Sequence, residues 1–217
     1  MTSISLNTQT QATLAKFLTA LPDALQNTVS DAFAELMASD VAAAAKRSGD
    51  PAPDFTLPNV RGGTLQLKDV TAQGPVVLSF YRGSWCPFCN LELHALQKRL
   101  PDIRRHDARL VAVSPEKPDA SLNHAEKLEL EFDVLSDIGN GVASEYGLIM
   151  TLHPALRPLY RHWGIDLPSC NGDETYQLPV PATYIIDRSG LIRAAFVDKD
   201  YTRRMEPDTI IQALESL

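Results

Sequence analysis

Cys86 and Cys89 stand in the run Phe80-Tyr81-Arg82-Gly83-Ser84-Trp85-Cys86-Pro87-Phe88-Cys89-Asn90. They follow an apolar run, Val76 to Phe80, and open a stretch that places Cys89, Leu93, Leu96 and Leu100 on one helical face. A sulfur at a helix N-terminus meets unpaired backbone N–H groups and the positive end of the helix dipole, and both favour thiolate over thiol. A thiolate attacks disulfides and peroxides, so the chemistry read from this spacing is redox chemistry at sulfur. In such a pair the first thiol is normally the more exposed and the more acidic, which for Cys86 favours disulfide exchange. Cys89 lies about one turn in, where burial raises a thiol's pKa unless a cation is near. Arg82, Arg203 and Arg204 are candidates for that cation, and an arginine also polarises a bound peroxide.

A structural zinc site needs two more soft ligands, and Cys170 and the five histidines (His94, His106, His124, His153, His162) show no paired ligand spacing. No metal and no cofactor is therefore expected. Cys170, in Pro168-Ser169-Cys170-Asn171-Gly172-Asp173, is either a resolving thiol or incidental. His94 lies on the helix after Cys89 and reads as a solvated side chain.

The rest of the chain has to position this pair. With 217 residues, 44% hydrophobic and 22% charged, it has the composition of a soluble globular protein with one sizeable core. A net charge of −7, with acids and bases interleaved, offers no nucleic-acid-binding face. No apolar run is long enough to span a bilayer, and Met1 to Gln11 lacks the pattern of a signal peptide. Three cysteines do not make a disulfide scaffold, so a reducing cytoplasm is the expected setting.

Residues 1–50 read as an N-terminal helical extension. Leu14, Phe17, Leu18 and Leu21 form one apolar stripe, and Leu25, Val29, Phe33, Leu36 and Met37 continue it beyond a break at Pro22. Ala42 to Lys46 is predicted to extend the second helix as far as Gly49. Residues 51–217 read as a single α/β domain. A hairpin turns at Arg61-Gly62-Gly63, and strands follow at Val76–Phe80, Leu110–Val113 and Phe132–Leu135. Helices are predicted from Cys86 to Leu100, from Ala120 to Leu128 and from near Gly141. A hairpin pairs Ala182–Ile186 with Leu191–Val197, and a helix runs from Pro207 with Ile210, Ile211 and Leu214 inward. Strand–helix–strand followed by hairpin and helix is the plan of a thioredoxin-like fold, a mixed sheet between helices. An insertion, about Leu152 to Gln177, carries Tyr160, His162, Trp163 and Tyr176 and reads as a cleft wall, an interface or an inert excursion.

Trp85-Cys86-Pro87-Phe88-Cys89 after a strand resembles the thioredoxin active site. Pro53-Asp54-Phe55-Thr56-Leu57, Val134-Leu135-Ser136-Asp137, Tyr146-Gly147-Leu148 and Pro181-Ala182-Thr183-Tyr184-Ile185-Ile186-Asp187 resemble, in that order, segments of the peroxiredoxin (alkyl hydroperoxide reductase and thiol-specific antioxidant) family. The resemblance covers about three-quarters of the chain, from Pro51 onward. It implies a thiol-dependent peroxidase acting on hydrogen peroxide or organic hydroperoxides, with Cys86 and Cys89 forming a disulfide that thioredoxin or a glutathione-type thiol reopens.

The chain departs from that pattern. On the peroxiredoxin spacing Arg82 takes the proline position, Cys86 the threonine position and Cys89 that of the reactive cysteine, while the activating arginine before the late strand has no counterpart at Val180-Pro181. On the thioredoxin template Cys86 is the nucleophile and Cys89 resolves, and both assignments stay open. That template also implies a cis Val180–Pro181 bond. The site residues expected are Cys86 and Cys89, supported by Trp85, Arg82, Pro181 and Arg204. A thiol–disulfide oxidoreductase acting through Cys86 is the alternative to the peroxidase, and a non-enzymatic redox sensor the third reading. The apolar N-terminal helices would also suit a homodimer.

Overall fold

Apolar runs of strand length, alternating with segments of helical period, dictate layers of helix on sheet. The computed structural model describes residues 4–217, except for the side chain of His124. Helices α1 (Leu6–Ala20) and α2 (Asp23–Ala38) lead the chain, and β1 (Thr56–Pro58), β2 (Thr64–Gln66), α3 (Leu67–Thr71), β3 (Val76–Phe80) and α4 (Pro87–Arg104) follow. Next come β4 (Arg109–Ser114), α5 (Pro118–Lys127), β5 (Asp133–Ser136), α6 (Gly141–Glu145) and β6 (Ile149–Thr151). Short helices α7 (Arg157–His162) and α8 (Leu167–Asn171) precede β7 (Gln177–Pro179), β8 (Ala182–Ile186), β9 (Ile192–Val197) and α9 (Pro207–Glu215). No helix among the described residues is long and apolar enough to cross a membrane.

The central sheet has five strands in the order β5-β4-β3-β8-β9. Strands β3, β4 and β5 run parallel, while β8 is antiparallel to β3 and β9 to β8. This is the mixed sheet between helices that the sequence predicts. Val77, Leu110, Val134 and Ile185 face α4 and α9, on the side that holds both cysteines of the pair. Val76, Leu78, Phe80, Val111 and Tyr184 face the other way, toward Phe55, Tyr146 and the β1–β2 hairpin. Both faces are covered, which is why β3 is apolar but for the buried Ser79.

The helices α1 and α2, broken at Pro22, lie on this body. Leu14 packs on the cysteine-side core, and Leu25, Val29 and Leu36 pack on the 152–178 segment. Ala42 to Lys46 is not helical as predicted. The second helix stops at Ala38, Ser39 is extended, and Ala42 has a φ of 60°. Long-range bonds replace the local ones there, with the Lys46 N–H donating to Tyr146 O at 3.1 Å and the Gly49 N–H to Ile192 O at 2.8 Å. The predicted insertion also contains structure that the sequence reading left out. The antiparallel strands β6 and β7 pair at its base, just before and at the end of the segment.

Gly147 closes the turn after α6 with a φ of 71°, and a Cβ there would lie 2.4 Å from Ala44 O and 2.7 Å from Ala44 C. Neither atom belongs to a flexible side chain. Gly147→Ala is expected to cost about 2–4 kcal/mol of stability through backbone strain and displacement of residues 44–45. A urea midpoint equal to that of the wild type would remove this account.

Candidate active site

Cys86 occupies the N-cap of α4 and Pro87 its first helical position, where a missing N–H costs nothing. The loop leading to it is fixed from two sides. Glu116 accepts from the Ser84 N–H and from Ser84 Oγ, both at 2.8 Å, and the Asn90 side-chain amide donates to Ser84 O at 3.0 Å. Gly83 has a φ of 145°, and a Cβ on it would meet Trp85 Nε1 at 2.4 Å, so the loop reaches Cys86 only with glycine there. Cys89 follows one turn into α4, and both sulfurs are reduced and wholly buried.

Two buried arginines serve this pair differently. Arg82 donates from Nη2 to the Tyr160 hydroxyl at 2.6 Å and lies over the Tyr201 and Trp85 rings, 4.3 and 5.0 Å from their centroids. It has no carboxylate partner among the described residues, and its Nε has no hydrogen bond. Arg204 comes from the loop between β9 and α9. Its Nε pairs with Glu92 Oε2 at 2.5 Å and its Nη2 donates to Cys89 Sγ at 3.3 Å. The first turn of α1 clamps this loop. Asn7 Oδ1 accepts from the Arg204 N–H at 2.9 Å and Asn7 Nδ2 donates to Arg204 O at 2.8 Å, while Glu206 accepts from the Leu6 and Asn7 N–H groups.

The electrostatics follow from this count of charges. Burial raises the Cys86 thiol, but the Cys89 thiol donating to it, the Arg82 and Arg204 guanidiniums and the Cys89 N–H outweigh burial and bring it down to about 6. Cys89 goes the other way. Burial, its bond to Cys86 and the Cys86 charge hold it well above the usual thiol range, against the pull of Arg204 and Arg82. Burial also raises Glu92, to about 7, and Arg204 opposes this. Arg204 is already compensated by Glu92, whereas Arg82 is not. Both effects favour a thiolate on Cys86 over one on Cys89.

Cys86 and Arg82 border a cavity of about 630 Å³, which Cys89 does not line. A larger polar depression, about 770 Å³ beside Lys117 and Asp166, holds neither cysteine of the pair. Size alone does not make a reaction site without a reactive group.

The structure brings Trp85, Arg82 and Arg204 close to the cysteines. Arg203 points outward and pairs with Asp198 at 3.1 Å. Pro181 is buried at the entry to β8 and does not line the cavity. Its bond to Val180 is trans, contrary to the cis form expected, as are all peptide bonds of the described residues. Trans is the form an X–Pro bond prefers, and here the chain runs extended from β7 into β8 with the Val180 N–H donating to Leu148 O at 2.7 Å. Cys170 is half-buried on α8, its thiol raised by burial and by Glu116, and it does not border the cavity. Sequence reasoning missed Glu92, Tyr160 as a partner of Arg82, and Tyr201. Glu92 carried a signal, since it lies three residues after Cys89 and four before Leu96, on the buried face of α4.

The mixed sheet between helices is shared with known proteins. Residues 48–195 match the AhpC/TSA family. The chain belongs to the AhpC/TSA family. It is 27% identical over 169 residues to the chloroplastic peroxiredoxin Q of Populus jackii, covering 78% of this chain and 68% of that one. It is 28% identical over 102 residues to the thiol-disulfide oxidoreductase ResA of Bacillus thuringiensis subsp. konkukian, covering 46% of this chain and 58% of ResA. That match spans a little over half of the relative's length. The crystal structure of peroxidoxin BcpB from Mycobacterium tuberculosis is similar in fold, with a TM-score of 0.61 and 21% identity, over 79% of this chain and 97% of that one. Thiol-dependent peroxidase is the activity class that the family and its peroxiredoxin members support, as the sequence implied.

Proposed function

We propose that the chain reduces hydroperoxides in a cycle in which Cys86 attacks, Cys89 closes a disulfide and an external thiol reopens it. The observation that carries this reading is the Cys86 sulfur on the cavity wall beside Arg82, which has no carboxylate partner among the described residues, with Cys89 one turn behind it on α4. The Cys86 sulfur attacks the terminal oxygen of the hydroperoxide. The O–O bond breaks as the S–O bond forms, the sulfur loses two electrons to become a sulfenic acid, and the alkoxide or hydroxide takes a proton from water. Arg82 stabilises the charge that develops on the leaving oxygen. Cys89 then attacks the sulfenic sulfur, the S–S bond forms, and the oxygen leaves as water with the Cys89 proton. Thioredoxin or a glutathione-type thiol supplies the two electrons that restore the pair. A cytoplasmic setting, which keeps thiols reduced, and pairing of subunits through the exposed Met37 side of α2 belong to the same reading.

Trp85 and Trp163 both border the cavity and report its oxidation state. Stopped-flow fluorescence of the reduced protein mixed with hydrogen peroxide is expected to show a fast phase whose rate constant rises with pH, is half-maximal near pH 6 and levels off about one pH unit higher. The thiolate fraction grows as pH passes through the Cys86 pKa and is complete beyond it. A rate that climbs only through pH 8–9 would mean an ordinary thiol, and no fast phase would overturn the peroxidase reading.

The second reading, thiol–disulfide exchange through Cys86, is favoured by the low Cys86 pKa and the similarity to ResA. Both sulfurs lie out of solvent contact beneath the cavity, which restricts that reading to small disulfides.

A further inference from the structure

The walls of the cavity over Cys86 come largely from parts of the chain that the peroxidase chemistry does not require. Phe17 of α1 and Val29 of α2 precede the region matched by the family, and Leu156, Trp163 and Ile165 come from the 152–177 segment. These side chains are apolar or aromatic. Hydrogen peroxide, with two oxygens and no apolar surface, gains nothing from them.

The rings form a connected path. Phe17 meets Trp163 edge-on with centroids 4.9 Å apart, Trp163 lies 5.7 Å from Tyr160, and Tyr160 lies 5.5 Å from Trp85, next to Cys86. At the inner end stands Arg82, buried and with an unpartnered Nε. One end of the cavity thus suits an oxygen that acquires charge, and the remainder suits a ring that stacks against rings. A saturated alkyl chain would fill the space without using the edge-to-face geometry.

We propose that the cavity is a subsite for the ring of an aromatic hydroperoxide, and that Phe17, Val29 and Trp163 make this chain prefer such substrates to hydrogen peroxide. The proposal rests on the peroxidase reading and names the substrate class of that same site. The step is the one above, with an aralkyl hydroperoxide reduced to its alcohol as Cys86 becomes a sulfenic acid. A 630 Å³ space, mostly apolar with one convergent charge, has the size and character of a small-molecule site.

The test is the oxidation half-reaction alone, followed by stopped-flow fluorescence with cumene hydroperoxide, tert-butyl hydroperoxide and hydrogen peroxide. The expected second-order rate constants fall in that order, with cumene hydroperoxide at least tenfold above hydrogen peroxide. Phe17→Ala, at a half-buried position outside the core, is expected to reduce the cumene-to-hydrogen-peroxide ratio by about tenfold, the scale of one lost apolar contact region. Lys16→Ala, on the solvent side of α1, leaves both constants as they are. Equal constants for the three peroxides, or a ratio that Phe17→Ala does not change, would overturn the subsite. Slower recycling by a thiol in Phe17→Ala, with the oxidation ratio intact, would assign the cavity to the reductant and likewise overturn it. If none of the three peroxides reacts, the failure lies in the peroxidase reading itself.

Discussion

Cys86→Ser is expected to abolish the fast reaction with hydroperoxide, lowering its rate constant by about three orders of magnitude or more, because serine offers no thiolate at neutral pH. Cys89→Ser is expected to behave differently. Its first step should persist within about tenfold of wild type, while turnover with a thiol reductant stops, since the Cys86 sulfenic acid has no neighbour with which to condense. The two variants separate the templates that assign opposite roles to the pair. Arg204 donates to Cys89 at 3.3 Å, and taken alone that bond would favour a Cys89 thiolate. The Arg204 charge is balanced by Glu92, however, and Arg82 has only the Cys86 thiolate to balance it. Trapping of the sulfenic acid with a dimedone-type reagent, read by mass spectrometry, checks the assignment. A label on Cys86 in Cys89→Ser supports it. A fast phase that survives Cys86→Ser and vanishes in Cys89→Ser would reverse the roles.

Features set by local sequence were readable, and those set by distant contacts were not. The run Val76–Phe80 announced a strand covered on both faces, and the helix that starts at Cys86 was marked by Pro87 and by the Cys89, Leu93, Leu96, Leu100 spacing. That helix was expected to stop at Leu100. It continues through Pro101 to Arg104 because Ile103 is still buried against the core. Ala42–Lys46 has helical composition, but its backbone bonds go to Tyr146 and neighbouring turns, and tertiary pairing overrides a weak local preference there. The strands β6 and β7 have three residues each, too few for a period of two to register.

The site divides in the same way. The cysteines, Trp85 and Arg82 lie within eight residues of one another and were found by their spacing. Arg204 was one of three candidate arginines, and only the loop after β9, held to α1 by Asn7, shows that it and not Arg203 turns inward. Tyr201 and Phe17 reach the cavity from separate parts of the chain that nothing in their neighbourhoods marks, whereas Tyr160 lies in the insertion whose aromatic residues already offered a cleft wall. Arg204 comes to Cys89 from beyond the far end of the hairpin, where a search anchored on Val180-Pro181 does not look.

Glu92→Gln is expected to have the largest effect of any change that leaves both cysteines in place. The carboxylate is fully buried and balances the Arg204 charge at 2.5 Å. Removing one partner of a buried ion pair leaves the other uncompensated and costs about 3–5 kcal/mol. In this site a substitute is at hand. With Glu92 neutral, the two guanidiniums face Cys86 and Cys89 with only one thiolate between them, so the Cys89 pKa falls from its raised position. Absorbance at 240 nm against pH is expected to show one thiolate step near pH 6 in the wild type and a second, lower than an ordinary thiol's, in Glu92→Gln. The effect on stability has a definite sign. A thiol whose folded pKa lies below its unfolded value adds stability that is complete above the unfolded pKa and is lost as pH falls through the folded one. Wild type and variant share that Cys86 dependence, and Glu92, raised to about 7 by burial, is neutral at pH 5 in the wild type as well, so the variant should come nearest to wild-type stability in mild acid and differ most above pH 7, where the wild-type carboxylate is charged. Urea midpoints measured at pH 5 and pH 9 read this directly. A loss of equal size at both pH values, with a single thiolate step, would mean that Glu92 serves packing alone and does not set the charge on the pair.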